Sequence, residues 1–240
     1  MESSLGQNSV RMHATNIVVE ACVSTVDEAV AAAQGGARRL EVCARPDEHG
    51  VTPDPLVLHQ ILARVTIPVV ALIRCRPGDF IYSDEEIERM TGQVQQAVAR
   101  GVEGVAVGAL TSDGAIHRRA LASWAWAAHP ATVIFHRAFD AVRDPDSAFD
   151  DLCDFGVARL LTSGGAPTAA EGTAVLRRLV ARAGAGLTIV AAGTVRPHSV
   201  GQILKETGVR EVHARLTSEA DTRALVNAAL TAGAGSTGPL

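Results

Sequence analysis

Along most of the chain, short apolar runs alternate with longer stretches in which apolar positions recur every three or four residues. The short runs read as strands covered on both faces and the longer stretches as amphipathic helices. The first pair is a strand over 17–22 and an alanine-rich helix over 25–34, opened by Thr25 with Glu28 three positions on, a capping-box spacing. Strands at 39–44 and 68–74 are followed by helices at 54–65 and 83–100. Asp54 with Pro55 opens the first of these, and a Ser83/Glu86 box opens the second. Further strands fall at 105–109, 132–136, 159–162, 187–191 and 211–213. Their helices fall at 116–128, 144–155, 168–182, 196–207 and 218–232, with Thr168/Glu171 as another box. The pattern therefore predicts eight strand–helix units.

A weak repeat supports that count. A helix end, a glycine and a short step into a strand recur at Gly36, Gly101, Gly156 and Gly208, at intervals of 52–65 residues, about two units each. Each glycine can supply the positive φ that ends a helix, and each precedes an even-numbered strand. Eight units with a two-unit repeat predict a single (β/α)8 TIM barrel, whose interior layers draw on alternate strands. An open doubly wound sheet is the competing architecture, but no G-x-G-x-x-G follows the first strand. The barrel domain is expected over 15–232. Residues 1–14 read as a disordered extension, with Met12 an alternative start, and 233–240 as a flexible tail.

Parallel barrels place their chemistry at the C-terminal strand ends. The clearest such end is Thr132 to Asp140, where Val133-Ile134-Phe135 gives way at once to His136, Arg137 and Asp140. By the period-two rule Glu20 shares a strand face with Cys22, Glu41 with Cys43, and Arg74 with Arg76. Ser163 and His213 end strands 6 and 8. Carboxylates are depleted in strands and costly when buried alone, so Glu20 and Glu41 demand partners that Arg74, Arg76 and Arg137 can provide. A mutually satisfied polar plug is one reading of this ring. The other is a ligand site: three arginines and two histidines against two glutamates favour a small anion. On that reading Glu20, Glu41 or His136 serves as general acid or base, and Arg74, Arg76, Arg137, Ser163 and His213 hold the ligand. His13, His49, His117, His129 and His198 read as solvated. Trp124 and Trp126 are two apart and cannot share a helical face, which leaves one for a possible subunit contact in a homo-oligomer.

Composition narrows the partners. The 240 residues are 47% hydrophobic but 3% aromatic, so the core is built of Ala, Val, Leu and Ile. A net charge of −4 without a cationic cluster argues against nucleic acid and acidic membranes. Neither a signal peptide nor a membrane span is evident, and a cytoplasmic protein is expected. The four cysteines, at 22, 43, 75 and 153, lack zinc or disulfide-scaffold spacing; Cys153 lies on a helix and reads as core.

Several ordered segments resemble the CutC family of copper-homeostasis proteins, which have a TIM-barrel fold. They are E-A-C-V-S at 20–24, G-G-A-R-R-L-E-V-C at 35–43, V-T-P at 51–53 and G-D-F-I-Y-S-D at 78–84. G-A-L-T-S-D-G at 108–114, F-H-R-A-F-D at 135–140, L-T-S-G-G at 161–165 and G-V-R-E-V-H at 208–213 extend the likeness over about 17–216. The chain departs from the family pattern at Cys75 and Pro77, at Ala191-Ala192-Gly193, and at Ala214-Arg215. The middle departure removes two glycines that a phosphate-binding loop would use. The resemblance implies a cytoplasmic Cu(I)-binding protein. Cu(I) prefers thiolates, and Cys22 and Cys43 lie on neighbouring strands about 4.8 Å apart, so they are its expected ligands. The competing expectation is a barrel enzyme that acts on a small carboxylate, phosphate or sugar-like anion.

Overall fold

The computed structural model describes residues 17–234. The expected extension over 1–14 lies outside the described residues. Eight parallel strands close into one barrel in chain order, β1 (Val18–Val23), β2 (Arg39–Val42), β3 (Val69–Leu72), β4 (Gly104–Val107), β5 (Thr132–Phe135), β6 (Arg159–Thr162), β7 (Thr188–Ala191) and β8 (Glu211–Arg215). The helices between them are α1 (Val26–Gln34), α2 (Pro55–Leu62), α3 (Asp84–Ala99), α4 (Arg118–Ala128), α5 (Pro145–Asp154), α6 (Thr173–Ala183), α7 (Pro197–Thr207) and α8 (Glu219–Ala234). This is a (β/α)8 TIM barrel, and the open sheet is excluded because β1 pairs with both β2 and β8.

Local chemistry sets the element boundaries. Asp54 accepts from the N–H groups of Leu56 and Val57 to open α2, and Ser83 and Glu86 form a full capping box on α3. Gly36, Gly101, Gly156 and Gly208 all have φ between 66° and 97°, which turns each chain out of its helix and toward the next even strand. The Thr25/Glu28 pair is only half a box: Thr25 accepts from Glu28 N–H, but the Glu28 carboxylate bonds Ser24 and Arg215 instead of Thr25 N–H. Thr168 and Glu171 bond each other, yet α6 begins at Thr173. Ala169 N–H donates to the Gly193 carbonyl, which pins residues 168–171 as a turn on the barrel rim and delays the helix. The expected tail boundary at 233 also falls inside α8, and of the expected tail 235–240 lie outside the described residues.

Two apolar layers hold the fold. One lies between strands and helices and includes fully buried Trp124, Leu40, Met90 and Leu176. Truncating such a large side chain typically costs about 2–5 kcal/mol. Trp126, two positions from Trp124, is 86% exposed, as a helix of 3.6 residues per turn requires. The other layer fills the barrel: Val70, Leu72, Ala106, Ile134, Leu161, Val190 and Ala192 pack with Cys43 and Cys22. The alternation within each short strand thus directs Glu20, Cys22, Glu41 and Cys43 inward. Cys153 is exposed rather than core, because the buried face of α5 is carried by Ala148, Phe149 and Leu152.

Candidate metal centre at the barrel mouth

Strand register decides which interior side chains meet. Glu20 lies opposite Arg39 on β2 and opposite His213 on β8, while Cys22 lies opposite Glu41 and Arg215. Arg39 forms ion pairs with Glu20 and Glu211, and Arg159 bridges Glu211 and Glu103. A chain of alternating charges therefore runs through the lower barrel and ends on Glu20, which is 1% exposed. Burial by itself would raise the Glu20 pKa. The hydrogen bond from His213 and the charge of Arg39 outweigh it and bring the carboxyl down to about 2.

His213 is the link between that network and the mouth. Its Nδ1 stands 2.7 Å from Glu20 Oε1, which fixes Nδ1–H as a donor to the carboxylate, and its Nε2 stands 3.7 Å from Glu41 Oε2. Burial alone would lower its pKa, but the charge of Glu41 and the hydrogen bond and charge of Glu20 hold it at about 9. Glu41, 5% exposed, is pushed up by burial and further by Glu20, against the pull of His213. Above it, Cys22 Sγ and Cys43 Sγ are 3.5 Å apart although their strands are offset by two residues. The hydrogen bond with Cys43, burial and the charge of Glu41 keep the Cys22 thiol protonated well above its ordinary range.

The ligand atoms of Cys22, Glu41 and His213 all lie within 4.8 Å of one another, and Cys43 adjoins Cys22. Two sulfurs, one imidazole nitrogen and one carboxylate suit a soft metal ion better than Mg²⁺ or Ca²⁺, which prefer all-oxygen shells. Glu20 stands behind His213 as the orienting carboxylate common behind metal-bound imidazoles.

These groups form the floor of a cavity of about 560 Å³ at the C-terminal strand ends. Arg74, His136 and Arg137 line its wall together with Phe80, and His49, expected to be merely solvated, stands at its rim. Glu20 does not reach it and lies below, against Arg39 and His213. Ser163 is a supporting group: it accepts from Arg137 and donates to the Ala166 carbonyl. Arg76 does not face inward. The strand ends at Leu72, so period-two parity no longer holds four residues later, and the side chain turns out to Glu86 and Asp79 beside α3. Reading strand chemistry alone missed Phe80, Arg196 and Arg215, which come from the loops and from the last residue of β8. Arg215 is held by Glu28 and bonds the Cys22 carbonyl, which ties the two strand ends beside the thiols. Two of the described non-glycine residues with positive φ, His49 at 64° and Thr194 at 53°, belong to this rim. Such conformations cost roughly 1 kcal/mol or more each and concentrate at functional sites.

Fold and site together define a TIM-barrel protein with a thiol, imidazole and carboxylate cluster at the C-terminal ends of its strands. The CutC family model matches residues 17–218, and the chain belongs to the CutC family. The chain is similar to the copper homeostasis protein cutC homolog of Homo sapiens, 39% identical over 209 residues that cover 87% of this chain and 77% of that one. A family protein CutC of Vibrio campbellii is 41% identical over 201 residues, 82% of this chain and 81% of the other. The crystal structure of a Streptococcus agalactiae protein named CutC superposes with a TM-score of 0.78 at 28% identity, covering 82% of this chain and 97% of that one. The family is therefore one of copper homeostasis. Among the described residues no helix is long and apolar enough to cross a membrane.

Proposed function

We propose that the chain binds one Cu(I) as its cargo at the barrel mouth, in the cytoplasm, through the Cys22 and Cys43 thiolates and His213 Nε2. The observation that carries this reading is the 3.5 Å approach of two sulfurs beside a histidine whose other nitrogen is held by a buried carboxylate. Thiolates select Cu(I), and the imidazole completes a low-coordinate shell. All four cysteines are free, in keeping with a reducing compartment. Because the Cys22 thiol and the His213 imidazolium both hold their protons tightly, metal uptake must displace protons, with Glu41 beside both groups.

The test is a competition titration against a Cu(I) chelator under reducing conditions. Wild type should take up one equivalent, and the Cys22→Ser/Cys43→Ser double variant should bind much more weakly. Equal uptake by both proteins would remove the site. The small-anion reading from the sequence also has a structural feature in its favour, the buried Arg74, and it leads to a separate site.

A further inference from the structure

We propose that the wall of the same cavity, apart from the thiols, is a binding site for a small oxyanion held between Arg74 and the Nε2–H of His136. Arg74 is 3% exposed and lines the cavity. Its Nη atoms donate to the carbonyls of Glu48, Gly50 and Gly78, and the weaker His49 contact lies at the limit of bonding, 3.5 Å. Among the described residues it has no ion pair, and its buried Nε has no acceptor in hydrogen-bond geometry, with the Tyr82 hydroxyl as its neighbour. The nearest acid on its own loop, Asp79, is paired with Arg76. A buried cation fixed by dipoles alone leaves its charge unmatched, and an anion is the natural complement.

His136 supplies the second donor. Its Nδ1 accepts from Ala138 N–H at 3.1 Å, so the neutral ring carries its proton on Nε2, which is buried without an acceptor. Burial, and then the charge of Arg74, hold its pKa at about 3, so it donates as a neutral ring throughout the physiological range. Both side chains flank the same ring: Phe80 lies 5.1 Å from the Arg74 guanidinium and 5.2 Å from the His136 ring. Gly108 leaves room for that imidazole, since a Cβ there would fall 2.4 Å from Cε1.

The acids lining the cavity do not oppose an anion. Asp140 already accepts from Arg137, Thr162, Ser163 N–H and Gly165 N–H, and Glu41 sits on the floor against His213. Arg196, at the rim, bonds a carbonyl rather than a carboxylate and adds attraction at the entrance. Carboxylate and phosphate groups share the required chemistry, and two arms of one experiment separate them.

Copper-free, reduced protein should be titrated calorimetrically with inorganic phosphate and, separately, with malonate, against chloride at equal ionic strength. Binding of phosphate alone assigns a phosphate-bearing ligand, and binding of malonate alone a carboxylate. In either case the imidazole Nε2–H resonance of His136 should shift at saturation, and His136→Phe should weaken binding at least about tenfold, as expected for a hydrogen bond to a charged group. No binding beyond chloride overturns the site. So does binding that leaves the His136 resonance unmoved, a readout on the wild type that holds even if the Phe variant fails to fold. Since no copper is present, neither result bears on metal binding at the thiols.

Discussion

Replacing Glu20 by Gln keeps the size of the side chain and removes the charge that orients His213. The imidazole stands at about 9 rather than 6.5, a gap equivalent to roughly 3 kcal/mol of folding free energy. Because the folded-state pKa is the raised one, that stabilisation is complete below pH 6.5 and disappears as pH rises through about 9. Glu20 shares this effect with Glu41, so Glu20→Gln should lower the His213 pKa by at least about one unit, or roughly 1.4 kcal/mol. Losing the buried pair with Arg39 adds to the cost, softened because Arg39 keeps Glu211. The variant should therefore be destabilised by more than about 1.4 kcal/mol at pH 7, and the His213 share of that loss should fade as pH rises through about 9. Urea denaturation at several pH values, with NMR titration of the His213 ring, measures both effects. An unchanged His213 pKa, or a stability loss that is the same at every pH, would refute the coupling.

Cu(I) affinity should rise with pH below about 9, by about tenfold per pH unit for each proton displaced from the Cys22 thiol and His213; chelator competition between pH 6 and 8 reads the slope, and a flat profile contradicts ligation by these groups. Gly108→Ala puts a methyl 2.6 Å from His136 Nδ1 and should cost about 1–3 kcal/mol in thermal denaturation while disturbing the bond to Ala138 N–H. Arg76→Ala, outside the cavity, should leave copper uptake unchanged and cost no more than about 1 kcal/mol through its partly exposed bridges to Glu86 and Asp79. Cys153→Ser, on an exposed face of α5, should bind copper like the wild type in the same titration.

The barrel was readable from the chain because apolar runs, caps and four glycines agree on the same eight units. Parity within a strand was enough to place Glu20 with Cys22 and Glu41 with Cys43. Pairing register was not readable: Cys22 faces Glu41, and the two sulfurs nevertheless meet in the folded barrel. His213 was expected among anion ligands, although barrel closure already makes β8 a neighbour of β1, and that closure sets it on Glu20. The charged base of the barrel went unread because Arg39, Arg159 and Glu211 open their strands, at the end opposite the C-terminal strand ends where barrel chemistry is sought. Arg76 failed for the opposite reason, since strand parity was extended past the end of β3 into a turn whose direction depends on Glu86.

X-ray absorption of the Cu(I)-loaded protein probes the centre most directly, because it counts sulfur and nitrogen neighbours without relying on affinity. Two sulfur scatterers and one imidazole are expected in the wild type, with the imidazole lost in His213→Ala and the sulfurs lost in the Cys22→Ser/Cys43→Ser variant. A shell without sulfur in the wild type, or one unchanged in the double variant, would contradict the Cys22–Cys43–His213 centre.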